Sequence, residues 1–107
     1  MRLAGRVDAN QKQVVDGLRK AGYSVCVLSG VGKGVPDLLV GANGVNILLE
    51  LKDGAKPKSA RKLTADEFKW HEAWKGQVAT VESLYDALTA VFEVSLKSEA
   101  AKTRDKT

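Results

Sequence analysis

The chain predicts an α/β domain of three layers built on a four-stranded mixed sheet, with a further helix at its C-terminal end. Three observations carry that expectation. Apolar residues recur at helical spacing in three stretches and alternate or run together in four shorter ones, in the order helix, three strands, helix, strand, helix. Asn43-Gly44 lies between two apolar runs, a strong hairpin signal. The length, 107 residues, suits one core and is too short for two.

Taken in order, residues 1–7 read as a short basic lead-in. Asp8 is placed to cap a first helix, with Gln11 at the capping-box spacing, and Val14, Val15 and Leu18 form its apolar stripe. Gly22 stops that helix. Tyr23–Leu28 is β-branched and apolar, the first strand. The loop GVGKGVP at 30–36 has the glycines and lysine of a phosphate cradle. It lacks the Gly-Lys-Ser/Thr that opens a helix, so an NTP-binding loop is excluded. The next two strands are joined at Ala42-Asn43-Gly44. In the second of them Val45, Ile47, Leu49 and Leu51 share one face, while Asn46, Leu48, Glu50 and Lys52 share the other. DGAKPKSARK follows as a polar basic loop. Thr64-Ala-Asp-Glu67 has the form of a capping box and opens a helix to Lys75, with Leu63, Glu67, Trp70 and Trp74 on one side. Gln77–Glu82 is the fourth strand. Ser83 caps a last helix with the inner stripe Leu84, Leu88, Val91 and Phe92. Residues 1–96 thus form the domain. Residues 97–107, with Lys97, Lys102, Arg104 and Lys106 and no apolar period, read as a flexible, solvated basic tail.

The net charge of +4 favours a polyanionic partner mildly, and its placement says more. Lys52, Lys56, Lys58, Arg61 and Lys62 crowd one short stretch opposed only by Asp53. A single cysteine, Cys26, inside an apolar run rules out an internal disulfide and reads as a buried small hydrophobe. No stretch approaches the ~18 apolar residues of a membrane helix, and the N-terminal stretch lacks the apolar run of a signal peptide. The expected setting is the cytoplasm.

The feature that needs explaining is a carboxylate and an amine, Glu50 and Lys52, in a strand that otherwise reads as buried. Burying charge is costly unless it is paired or binds a metal. Asp37 starts one strand of the hairpin and Glu50 finishes the other, so the two carboxylates should stand opposite each other at one end of the sheet. Such a pair is a hard oxygen site suited to Mg2+ or Mn2+. Lys52 can reach the same spot to orient or deprotonate a water, and the basic loop can hold neighbouring phosphates. Together these are the parts that metal-assisted phosphodiester hydrolysis requires.

Pro36-Asp37, twelve intervening residues and then Glu50-Leu51-Lys52 resemble the motif of the PD-(D/E)XK nuclease superfamily. With DANQ at 8–11, the GxGxPDLLVG form at 32–41, LLELKDG at 48–54 and KLTADEFKWHEAWKG at 62–76, the chain is most similar to the VRR-NUC branch, in its small stand-alone phage and bacterial type. The resemblance covers most of residues 6–92. It implies a restriction-endonuclease-like αβββαβ core and a Mg2+- or Mn2+-dependent endonuclease acting on branched DNA. The substrate implied is foremost the four-way junction, in recombination or repair, cut by a homodimer; larger relatives cut flaps. It also implies that Asp37 and Glu50 hold the metal, that the Leu51 carbonyl adds a ligand, and that Lys52 is the catalytic lysine. One position departs from the pattern. The family commonly has Gln in the second helix, where this chain has Glu67.

Glu67 either approaches the catalytic centre or serves only as the capping partner of Thr64. Gln11 stands between a catalytic role and capping in the same way. Lys33 is a candidate phosphate contact at the rim of the site, and Lys56, Lys58, Arg61 and Lys62 are candidates along the DNA path. His71, without partners at metal spacing, reads as structural or exposed; Trp70 and Trp74 read as core. A non-catalytic DNA-binding module on the same fold is the competing function.

Overall fold

The computed structural model describes residues 9–105, with the side chains of Ala9 and of residues 101–105 excepted. The elements are α1 (Ala9–Lys20), β1 (Ser24–Val27), β2 (Leu38–Ala42), β3 (Val45–Leu51), α2 (Ala65–Ala73), β4 (Val78–Val81) and α3 (Leu84–Asp105), with a 3-10 turn at Lys58–Arg61. The expected order and the α/β class hold, and the C-terminal helix is present. The strands lie in the order β1-β2-β3-β4. The first three are antiparallel, and β4 runs parallel to β3. The sheet is therefore mixed, because the connection through α2 brings the chain back in the direction of β3.

Local chemistry fixes the joints. α1 ends in a paired closure in which Tyr23 N–H donates to Leu18 O and Gly22 N–H to Arg19 O, at 3.1 and 2.9 Å. Asn43 and Gly44 take φ of 52° and 83° between the paired residues Ala42 and Val45, the left-handed turn that suits the twist of a hairpin. Thr64 Oγ1 accepts from Glu67 N–H at 3.2 Å while Glu67 Oε1 accepts from Thr64 N–H at 2.8 Å, so the capping box of α2 is complete. Ser83 Oγ accepts from Asp86 N–H at the start of α3. The Asp8 cap expected for α1 and the basic lead-in lie outside the described residues.

The two faces of the sheet are unequally covered. Leu38, Val40, Ile47, Leu49, Leu51 and Val81 meet Val14, Val15 and Leu18 of α1 and Ala87 and Val91 of α3 in one buried cluster. The other face bears Cys26, Leu39 and Leu48, residues paired or adjacent across the register, with α2 above part of it. α2 buries no residue fully. Three expectations are corrected here. Cys26 is exposed, because it points to the thinly covered face. Trp70 and Trp74 are not core; Trp70 is half-buried and Trp74 is 46% exposed, because a nine-residue helix cannot seal this face alone. Phe92 is 57% exposed, because the inner stripe of α3 passes through Ala87, Val91 and Ser95 and leaves Phe92 outside it. α3 also runs on through the stretch from 97 to Asp105, where Ala, Lys and Glu supply helix propensity without any apolar period.

Candidate catalytic site

β2 and β3 assemble the site. Leu38 pairs with Leu49. Continuing that antiparallel register one step sets Asp37 opposite Glu50, and both side chains leave the sheet on the thinly covered face. Asp37 is held in place twice: its carbonyl accepts from Leu28 N–H at 2.7 Å, and its Oδ2 accepts from Leu51 N–H at 2.7 Å. Glu50 is 3% exposed, and its Oε1 is buried with no hydrogen-bond partner. Lys52 follows just beyond β3, where its N–H still donates to Val81 O at 2.9 Å. Its ammonium lies 2.8 Å from Glu67 Oε1 and 3.9 Å from Glu50 Oε2.

The electrostatics follow from that crowding. Burial pushes the Glu50 carboxyl up to about 9, and the charges of Asp37 and Glu67 push the same way against Lys52. Burial also raises Asp37 and outweighs the hydrogen bond from Leu51 N–H. Glu67 goes the other way. Desolvation pushes it up, but the hydrogen bonds from Lys52 and from Thr64 N–H prevail and hold it below the usual carboxylate range. Two carboxyls that resist ionisation thus stand beside one that favours it.

Of the residues expected to act together, Asp37, Glu50, Lys52 and Glu67 do converge. Glu67 is the capping partner of Thr64 and also reaches Lys52, since Oε1 accepts both the capping N–H of Thr64 and the Lys52 ammonium. Gln11 is buried at the start of α1 and donates to Ser29 Oγ at 3.3 Å. Among the described residues, none of its hydrogen bonds goes to either carboxylate. Arg61 is tied to Glu82 at 3.0 Å, which anchors the basic loop beside the end of β4, while Lys56, Lys58 and Lys62 are exposed. Lys33 is exposed at the tip of the glycine loop, with φ of 58°. His71 is half-buried with its ring edge-on to Trp70, and its Nε2 has no partner.

The sequence reading missed two residues. Asn10 Nδ2 donates to Lys52 O at 3.3 Å, bracing the segment that carries the lysine. Gly34 has φ of +84°, and a Cβ there would lie 2.4 Å from Asp66 O. The glycine loop is therefore the seat on which the first turn of α2, and with it Glu67, rests. Excess glycine in a loop marks close backbone approach but does not say to what.

Comparison with family models, with curated proteins and with solved structures finds no match to this chain.

Proposed function

We propose that the chain is a Mg2+- or Mn2+-dependent endonuclease that hydrolyses phosphodiester bonds in branched DNA, four-way junctions foremost. The observation that carries the reading is buried Glu50 opposite half-buried Asp37, with an unpartnered Glu50 carboxyl oxygen and the Lys52 ammonium beside it. Mere binding of a polyanion gives no reason to place two carboxyls at the contact point, since ionised they would oppose it and un-ionised they would add no attraction.

The residues fit a hard divalent cation. Among the described residues no three His, Cys, Asp or Glu side chains form a metal set, so an ion here would rest on Asp37, Glu50 and backbone or water oxygens. That is the habit of Mg2+, which keeps several waters and takes one or two carboxylates. In a strand the N–H and C=O of one residue point to the same side, so the Leu51 carbonyl leaves β3 on the side where its N–H meets Asp37. Glu50 Oε1, buried without a hydrogen-bond partner, would gain a partner. The chemistry such an ion supplies is neutralisation of the phosphoryl oxygens and acidification of water.

The chain's own groups do the rest. Lys52 donates hydrogen bonds to the phosphate or to the attacking water, with Asn10 and Glu67 fixing its backbone and its ammonium. Lys56, Lys58 and Lys62 neutralise flanking phosphates without reading sequence. Symmetrical cutting of a four-way junction needs two such sites related by a two-fold axis, hence a homodimer. A non-catalytic DNA-binding module draws on one observation, that the shorter contact of Lys52 is with Glu67 rather than with Glu50. No helix among the described residues is long and apolar enough to cross a membrane.

The deciding experiment is cleavage of labelled four-way junction, flap and linear duplex with Mg2+, Mn2+ or EDTA, comparing wild type with Lys52→Ala. Junction cutting that requires metal and is lost in the variant is the expected result. Cutting of flaps alone would keep the enzyme and discard the junction. Tight binding without cleavage in either metal would favour the binding module.

A further inference from the structure

The thinly covered face of the sheet holds a second feature, one step along the strands from the carboxylates. Leu39 and Leu48 are two residues from Asp37 and Glu50 on the same face, about 7 Å away along each strand. Beside them Val35, Trp70 and Trp74 complete an open groove of about 380 Å3, with Asn46 and Gln77 also in its wall. That volume falls within the ~300–1,000 Å3 of small-molecule sites.

The two indoles lie nearly parallel, with centroids 4.7 Å apart and planes 18° apart. Gly76 permits this, since a Cβ there would come within 2.8 Å of Trp74 Nε1. A stacked pair of which Trp74 is 46% exposed leaves aromatic surface in water that a core residue would not. The groove's wall is apolar apart from Asn46 and Gln77. A flat apolar wall with amides in it suits a planar heteroaromatic ring, and the proposed phosphate site at Asp37 and Glu50, one step along the strands, makes that ring a base of the same strand.

We propose that the Trp70–Trp74 groove is a stacking site for an unpaired nucleobase of the strand whose phosphate lies at Asp37 and Glu50. The proposal rests on the nuclease reading for its position beside the scissile phosphate, but not for the stacking itself. A paired base stays inside its duplex, so the groove selects strands with an unpaired or splayed nucleotide next to the cut. Aromatic stacking of this kind tolerates any base, because every base has a π-face.

The chain has two tryptophans, and both are in this pair, so its intrinsic tryptophan fluorescence reports on the groove alone. The experiment titrates wild type in EDTA with a short oligothymidylate, an abasic strand of equal length and charge, and a blunt duplex. The expected result is quenching by the base-bearing strand, with affinity about tenfold or more above that of the abasic strand, and little change with duplex. Trp74→Ala should remove that preference for bases, whereas Trp74→Phe should keep most of it. Equal affinity for abasic and base-bearing strands would overturn the proposal. So would fluorescence that shifts with protein concentration in the absence of DNA, which would mean that a second copy covers the groove. Metal-dependent cleavage without base-dependent quenching would sink the stacking site and leave the nuclease standing. Base-dependent quenching without cleavage in any metal would do the reverse.

Discussion

Glu67 Oε1 accepts two hydrogen bonds that serve different ends: one from Thr64 N–H closes the first turn of α2, the other fixes Lys52. Replacing it separates those ends. Glu67→Gln keeps an oxygen for the cap and gives up only the charge, so on the proposed nuclease reading metal-dependent cleavage should stay within roughly threefold of wild type. Glu67→Ala loses both, and cleavage should fall about tenfold or more with a stability loss of about 1 kcal/mol. Cleavage rates on one junction and urea melts for the two variants check this. Equal loss in both would mean that the charge itself does chemistry. At this scale much of the site was legible in the sequence. Asp37, Glu50 and Lys52 stood out because charge in an apolar strand needs a reason, and the hairpin register brought them together. The dual role of Glu67 was not legible, because which donors reach one oxygen depends on how α2 sits over the sheet. Cys26 and Phe92 were misplaced for a related reason: an apolar pattern tells which residues share a face, not how well the face is covered.

Among elements, the glycine loop and α2 act as one unit. Gly34 touches the backbone of Asp66 and Glu67 so closely that a methyl group cannot enter, and its φ of +84° disfavours any side chain. Gly34→Ala should therefore push the start of α2 away, costing about 1–3 kcal/mol in a denaturant melt. It should reduce cleavage at the same time, because Glu67 would move off Lys52. Gly30→Ala, where nothing lies within 4 Å, is the control and should change neither. Loss of stability without loss of cleavage would show that the seat of α2 does not matter to the lysine. The helices and strands themselves were legible from their periods and caps, since Thr64, Ser83 and Asn43-Gly44 signal through chemistry confined to a few neighbouring residues. What a loop packs against is a tertiary fact that its composition does not encode.

For the whole molecule, the site is a stability liability that depends on pH. The Glu50 carboxyl is raised from 4.5 to about 9 on folding, so between those values the folded chain holds a proton that the unfolded chain has released. Its contribution is fully present below about 4.5 and is lost as pH rises through about 9; raised Asp37 adds in the same direction. Glu67 has the opposite sign, and its contribution is lost as pH falls below the usual carboxylate range. With no divalent cation, thermal stability should therefore peak on the mildly acidic side and decline towards pH 8.5, by at most about 1.4 kcal/mol per pH unit for each proton involved. Glu50→Gln carries no proton to lose, so its melting temperature should decline less and exceed that of wild type by several degrees at pH 8.5. On the proposed metal site, Mg2+ would compete with that proton for the same oxygens, so it should raise the wild-type melting temperature at pH 8.5, do little at pH 5.5, and do little to Glu50→Gln at either. Melts at the two pH values, with and without Mg2+, give all of these comparisons. Parallel curves for the two proteins would mean that burial of Glu50 is not what sets the pH dependence, and with it would go the argument that an unpartnered buried oxygen is waiting for a cation.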